Sequence, residues 1–374
     1  MKKALQLTGK VNMIDQFCIP NIKLLQSLGY SVSVVSDFSD PGSITMERSE
    51  DLKRRLSDMD VQINDVSIPR SLSFRKVFSA YKETKRLIEK EKYELIHCHS
   101  PIGAAVCRMA AKEARKNGTQ VIYTAHGFHF YKGAPIKNWV IYYIAEKILS
   151  IYTDVLITIN KEDFERAKKR LNAGRVLYVP GIGVDTDRFN PEAGNKDRIR
   201  SELNLSSTQT MLLSVGELNK NKNHERVINA IKGMDIVYVI VGKGVLKERL
   251  EQVAKRNGVD LRLMGYRSDV SDFYAASDLY ILPSIREGLN VSLMEAMASG
   301  VPVTCGGIRG NTDLVDRPLF NPNNTDEIRN AIEIALREGD SLVSKNLERI
   351  KGFDLETVNR VMKQVYMSVG ENMV

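Results

Sequence analysis

The chain has 374 residues, of which 43% are hydrophobic and 27% charged, with four cysteines and a formal net charge of +8. This length and composition exclude a disordered or low-complexity chain and exceed one ordinary core, so two domains are expected. Cys18, Cys98, Cys107 and Cys305 lack paired spacing, no apolar run reaches a membrane span, and the opening residues are too short for a signal peptide, so a cytoplasmic protein without disulfides or zinc is expected.

Taken in chain order, the first half predicts strands at 3–7, 31–36, 61–68, 94–97, 120–124, 154–159 and 176–179. Helices are expected at 20–28, 74–90, 103–116, 136–151 and 161–170. A turn-rich stretch at 180–195 interrupts the alternation. It resumes with strands at 211–215, 236–241, 260–264, 279–282, 301–304 and near Leu319. A helix over 291–299 has Asn290 as its N-cap and ends at Gly300 and Pro302. A last amphipathic segment covers 356–369. Strands alternating with helices argue for parallel sheets with right-handed crossovers. The fold class is therefore α/β, with two Rossmann-like domains facing each other across a cleft.

Charge is unevenly spread. Residues 1–190 hold 30 Lys+Arg against 21 Asp+Glu, and the remainder 24 against 25. A basic first half suits an anionic partner. No helix-turn-helix, zinc-finger or RNA-binding aromatic signature accompanies it, so nucleic acid is not expected.

The chemistry concentrates after the 279–282 strand. Glu287 lies on the loop and Glu295 in the helix behind Asn290, with free backbone N–H groups at the helix start between them. Gly288 allows the sharp turn. In open α/β sheets, ligands bind at strand carboxyl ends. Two carboxylates flanking a helix N-terminus suit a polyhydroxyl group, a diphosphate and a second polyhydroxyl group in a row.

Glu287-x7-Glu295, preceded by Pro283-Ser284 and followed by Ala296-x-Ala298-x-Gly300-x-Pro302-Val303, resembles the donor signature of retaining GT-B glycosyltransferases, family 4. The resemblance covers nearly the whole chain. It implies that Glu287 binds the transferred sugar and Glu295 the nucleotide ribose, with Gly288, Leu289, Asn290 and Val291 forming the donor loop. It further implies domains at 1–185 (acceptor) and 186–355 (nucleotide-sugar donor), with residues 356–374 returning as a helix to the first. Lys222 matches the family's diphosphate-binding Lys. Glu217 stands where the family carries an Arg, so either Lys220 or Arg309 supplies a second cation or Glu217 faces away. Residues 265–270, with Tyr266 and Arg267, resemble the segment that receives the base. His126, in Thr124-Ala125-His126-Gly127, matches the histidine under the donor sugar and joins Glu287 as a catalytic-centre candidate. His99 and His129 are acceptor-side candidates, and Gly9 is a candidate for the glycine turn admitting the phosphates.

Four of the five histidines fall at 97–99 and 126–129, but no carboxylate or Cys stands at ligand spacing, so no metal is expected. Asp185-x-Asp187 has a metal-binding form but lies in the interdomain turn and is rejected. The implied activity is retaining, metal-independent transfer of a hexosyl or N-acetylhexosaminyl group. The donor is a nucleotide-diphosphate sugar, uridine-linked by family frequency, and no cofactor is needed. A glycan or lipid-linked glycan in capsule or exopolysaccharide synthesis is the implied acceptor. Cations from Arg70 to Lys92, with Trp139 and its neighbours, suit peripheral contact with an anionic membrane or else a solvated face and core. Two alternatives stay open: a nucleotide-sugar epimerase or hydrolase of the same fold, and a silent nucleotide-sugar-binding scaffold.

Overall fold

A computed structural model describes residues 2–42, 44–69 and 73–370; Arg70 of the basic segment lies outside them. The first sheet contains β1 (Lys2–Leu7), β2 (Tyr30–Ser36), β3 (Gln62–Asp65), β4 (Leu95–His99), β5 (Gln120–Ala125), β6 (Val155–Thr158) and β7 (Arg175–Tyr178). Their order is β3-β2-β1-β4-β5-β6-β7, with every pairing parallel. The second sheet contains β8 (Thr210–Val215), β9 (Ile236–Val241), β10 (Asp260–Gly265), β11 (Leu279–Leu282), β12 (Val303–Gly306) and β13 (Leu319–Phe320). It is also parallel, in the order β10-β9-β8-β11-β12-β13. Central strands such as Ile-Val-Tyr-Val-Ile-Val in β9 are buried along their whole length, as expected of a sheet covered on both faces.

Each sheet has one reversal of strand order, between β1 and β4 in the first and between β8 and β11 in the second. Such switch points open a crevice at the strand carboxyl ends. One compact unit comprises the chain up to Ile182 together with the segment from Val358; the other is Gly183–Thr357. The final helix, Leu355–Gly370, starts in the second unit, where the Leu355 N–H donates to the Val184 carbonyl (2.9 Å). Gly183 is tight there, since a Cβ would stand 2.6 Å from Leu355 Cα. From Val358 onward the helix belongs to the first unit. Val358, Met362, Val365, Tyr366 and Val369 pack in one buried cluster with Ile14, Cys18, Ile22 and Leu25.

Several local expectations are corrected. A helix at Met46–Asp58 was not foreseen, although Thr45 Oγ1 caps it by accepting the Arg48 N–H (3.2 Å). The expected strand at 61–68 contracts to β3, which pairs only with β2. The continuous helix expected over 136–151 is interrupted by a π-helical turn at Trp139–Tyr143. Trp139, Tyr142 and Tyr143 face inward, Trp139 packing edge-on against Phe130. Exposure falls instead on Ile136 (82%), Val140, Ile141, Ile144, Ile148 and Ile151.

Arg108, at 0% exposure, makes a two-pronged pair with Glu146 (2.8 and 3.1 Å) and lies over the Tyr123 ring. Removing one partner of such a pair strands a buried charge. Arg108→Met is therefore expected to lower unfolding stability by about 3–5 kcal/mol, and Arg108→Met combined with Glu146→Leu by clearly less. Urea denaturation of the two variants checks this.

Candidate functional site

In the second unit the loops after β8 and β11 are sewn together by alternate asparagines. Asn219 Oδ1 accepts the Lys222 N–H (3.0 Å), and the Asn221 amide donates to the Arg286 carbonyl (2.9 Å). Asn223, in a left-handed conformation (φ 57°), donates to the Pro283 and Pro322 carbonyls (3.2 and 2.7 Å). The Ile285 N–H closes the seam on the Asn221 carbonyl (2.8 Å). Two loops at the switch point thereby become one rigid platform.

Lys222 Nζ meets Glu287 Oε1 at 2.7 Å on this platform, with both side chains mostly shielded. The Glu287 backbone is held as well, since Arg309 Nε donates to its carbonyl (3.1 Å). Gly310 (φ 80°) lets the 306–311 loop lie directly on Gly288; a Cβ there would fall 2.0 Å from the Gly288 carbonyl oxygen.

Asn290 caps the helix Val291–Ala298, its Oδ1 accepting the Leu293 N–H (3.0 Å). That leaves the Val291 and Ser292 N–H groups without intrahelical acceptors. The Ser292 hydroxyl meets Tyr280 OH (2.7 Å), Asn290 Oδ1 (2.7 Å) and the Val215 carbonyl (3.1 Å), fixing the helix start to β8 and β11. One turn further, the Tyr274 hydroxyl lies between Glu295 Oε2 (2.9 Å) and the Ser292 carbonyl (3.0 Å), with its one proton to share between them. Burial pushes the Glu295 carboxyl up to about 7, against the opposing pull of Tyr274 and Arg188.

Glu217 is exposed and accepts the Asn219 side-chain N–H (2.9 Å). Lys220 is also exposed, whereas Arg309 is buried against the Glu287 loop. Tyr266 is 60% exposed beyond β10. The Arg267 guanidinium is committed to Glu202 (2.8 and 3.0 Å) and Asp269 (2.8 and 2.7 Å).

The histidines of the first unit divide into two sets. His97, His99 and His126 form a hydrogen-bonded cluster with Gln6, Thr124 and Tyr366. Burial pushes His97 down to about 3 and His126 to about 4, and lowers His99 well below its ordinary value, so all three are neutral near pH 7. His129 stands apart, stacked on Tyr142 at 4.5 Å, with its carbonyl accepting the Asn138 amide (2.9 Å). Gly9 lies at the first sheet's switch point. Its N–H donates to Ser100 Oγ (3.1 Å), and a Cβ would sit 2.8 Å from that oxygen. The Asp185 carboxylate accepts the N–H groups of Asp187 and Arg188 (3.1 Å each), which makes it a turn cap.

Asn219, Asn221, Asn223, Tyr274, the Ser292 hydroxyl, Gln6 and Tyr366 complete these sites and do not stand out in the sequence. The run Asn219-Lys220-Asn221-Lys222-Asn223 carried a usable signal, because asparagine favours local backbone bonding and left-handed turns. Tyr274, Gln6 and Tyr366 carried none, because only tertiary packing brings them in.

The family described as "Glycosyl transferases group 1" matches residues 195–351, and "Glycosyl transferase 4-like" matches residues 11–160. The chain is 38% identical over 246 residues to "Putative glycosyltransferase EpsD" of Bacillus subtilis (strain 168), covering 63% of this chain and 65%, just under two thirds, of that one. It is 30% identical over 324 residues to the "UDP-Gal:alpha-D-GlcNAc-diphosphoundecaprenol alpha-1,3-galactosyltransferase" of Escherichia coli, covering 81% and 82%. The crystal structure of Anabaena Alr3699/HepE in complex with UDP superposes with a TM-score of 0.77 at 18% identity, covering 98% of this chain and 100% of that one.

Proposed function

The chain belongs to the group 1 glycosyl transferases and has their two-domain GT-B fold, and from that premise we propose a retaining, metal-independent transferase that moves a sugar from a uridine diphosphate sugar to a lipid-linked glycan in polysaccharide synthesis. The observation that carries this reading is the order of groups along the second unit's switch point: Glu287, Lys222, the Val291 and Ser292 N–H groups at the helix start, and Glu295. The sugar hydroxyls go to Glu287, the diphosphate to Lys222 and the helix N-terminus, and the ribose diol to Glu295. Lys222 and Glu287 already bond each other, so the donor enters by exchange. Its phosphates take the ammonium and its hydroxyls take the carboxylate, which leaves neither charge unpaired. Leaving-group charge is then stabilised by fixed dipoles and one cation, without a metal. His126 is assigned a substrate contact by the family resemblance, with His99 behind it.

The uridine donor is supported by what the E. coli relative is named for and by the UDP held in the Anabaena structure. The lipid-linked acceptor is supported by the diphosphoundecaprenol in that relative's name and by the isoleucine-rich stripe Ile136, Val140, Ile141, Ile144, Ile148 and Ile151. Phe74 (92% exposed) and Phe78, beside Arg75, Lys76 and Lys82, repeat the apolar-plus-cation pattern on another helix of the first unit. Such a surface suits an anionic bilayer. Among the described residues no helix is long and apolar enough to cross a membrane.

The test has two arms. Uridine, guanosine and cytidine diphosphate sugars are compared by thermal stabilisation, with and without EDTA. At a hundred times its Kd a ligand adds about 2.7 kcal/mol. Selective stabilisation by uridine donors that EDTA leaves unchanged is expected, and stabilisation that needs metal rejects the reading. In the second arm Ile141→Asp with Ile144→Asp is assayed on a diphospholipid acceptor. Transfer in anionic vesicles is expected to fall by roughly tenfold or more, while transfer in detergent holds. Equal loss in both rejects the membrane contact.

A further inference from the structure

A polar chain crosses the interior of the first unit from the C-terminal helix to His126, and every link stands within hydrogen-bond distance of the next. The Gln6 carbonyl oxygen Oε1 faces His99 Nε2 at 3.1 Å, and His99 Nδ1 faces His126 Nε2 at 3.1 Å. At the other end Gln6 Nε2 donates to the Tyr366 hydroxyl (3.3 Å). That hydroxyl lies 2.8 Å from His97 Nδ1, whose ring reaches Thr124 Oγ1 through Nε2 (2.8 Å). Register sets this up: Gln6 on β1 is level with His97 on β4, and His99 is level with Thr124 on β5.

The donor inventory orients the chain. An amide oxygen only accepts, so the proton of His99 is on Nε2. A neutral imidazole has one N–H, so His99 Nδ1 is an acceptor and the proton between the two rings belongs to His126 Nε2. His126 Nδ1 is then bare. No described residue bonds it, and the ring lines a small pocket with Phe17, Pro20, Asn21 and Met362, with Phe17 packed 4.8 Å away. We propose that Gln6 and Tyr366 are positioning residues that fix His126 as the Nε2-protonated tautomer, so that its Nδ1 presents an acceptor to a substrate hydroxyl.

The control is indirect and cooperative. If the Gln6 amide turns over, its nitrogen donates to His99 Nε2, His99 donates from Nδ1 to His126 Nε2, and His126 carries its proton on Nδ1. A donor would then stand at Nδ1 in place of an acceptor. Such a reversal also requires Tyr366, His97 and Thr124 to reverse, which is how a residue on the C-terminal helix governs an atom at the centre. Neutral rings are required throughout, and the buried cluster keeps all three neutral near pH 7.

This inference rests on the reading of His126 as a substrate contact, and its test separates the two. Protein carrying nitrogen-15 histidine is examined by long-range proton–nitrogen correlation, which distinguishes protonated from bare ring nitrogens. The wild-type His126 is expected to show a bare Nδ1. In Gln6→Glu the carboxylate charges His99, which then donates through both nitrogens and moves the His126 proton to Nδ1. In Tyr366→Phe the Gln6 amide loses its anchor, and a mixture of tautomers is expected, so the test survives should one variant misfold. A protonated Nδ1 in the wild type, or an unaltered tautomer in both variants, overturns the proposal. In transfer assays Gln6→Glu is expected to lower kcat by about tenfold or more with donor affinity unchanged. Inverted tautomers with unchanged kcat and KM would overturn the substrate contact at His126 and leave the tautomer assignment standing.

Discussion

Glu287→Gln is expected to reduce transfer by roughly a hundred- to a thousandfold while leaving affinity for uridine diphosphate undiminished. The amide keeps the shape of the side chain but loses the charge that polarises sugar hydroxyls. It also releases Lys222 from its 2.7 Å pair, so the ammonium has only the phosphates to satisfy it. The substitution therefore separates two effects that a general disruption of the site would merge, with kcat falling and nucleotide binding holding or tightening. Steady-state kinetics and calorimetric titration on the same preparation check this. Unchanged turnover, or an equal loss of both, would remove the assignment of Glu287 to the sugar.

Donor affinity should rise with pH through about 7, and Glu295→Gln should abolish that dependence. Burial holds the carboxyl partly protonated at neutral pH, whereas a ribose diol offers two donors that favour the ionised form. Binding must then release a proton below about pH 7, and affinity climbs as the proton leaves beforehand. Stability runs the other way. The folded value lies above the ordinary 4.5, so the group's contribution is complete below about 4.5 and is lost as pH rises through about 7. A uridine diphosphate sugar is the probe to use, because free uridine diphosphate titrates in the same range. Flat affinity between pH 6 and 8 would contradict the ribose role. Glu295→Ala is expected to weaken nucleotide binding more than it slows turnover at saturation.

Both sheets were legible from the chain because buried parallel strands read as short apolar runs between turn signals, as in 236–241 and 279–282. The Asn290 cap and Gly300 stop were readable because capping is local chemistry. Met46–Asp58 escaped because only Ser49, Leu52 and Leu56 are buried along a strongly charged helix. The site was half legible. Glu287, Glu295, Lys222 and His126 stand in short motifs, but what holds them is non-local. Tyr274 reaches Glu295 from another helix, and Tyr366 reaches His97 across 269 positions. Spacing also gave no account of which side chains are already occupied. Arg267 is fully engaged by two carboxylates, and Glu217 by an asparagine amide.

The final helix has a bearing on the order in which the chain acquires its structure. Residues 358–369 supply one wall of the first unit's core, yet they are synthesised only after the whole of Gly183–Thr357. While the second unit is emerging, the nascent first unit must hold an open apolar groove along Ile14, Cys18, Ile22 and Leu25. Gln6 and His97 line the same gap without their tyrosine. Closure is thus deferred until the second unit has been synthesised, a long-range contact made late and at the cost of an interval in which chaperones have a surface to bind.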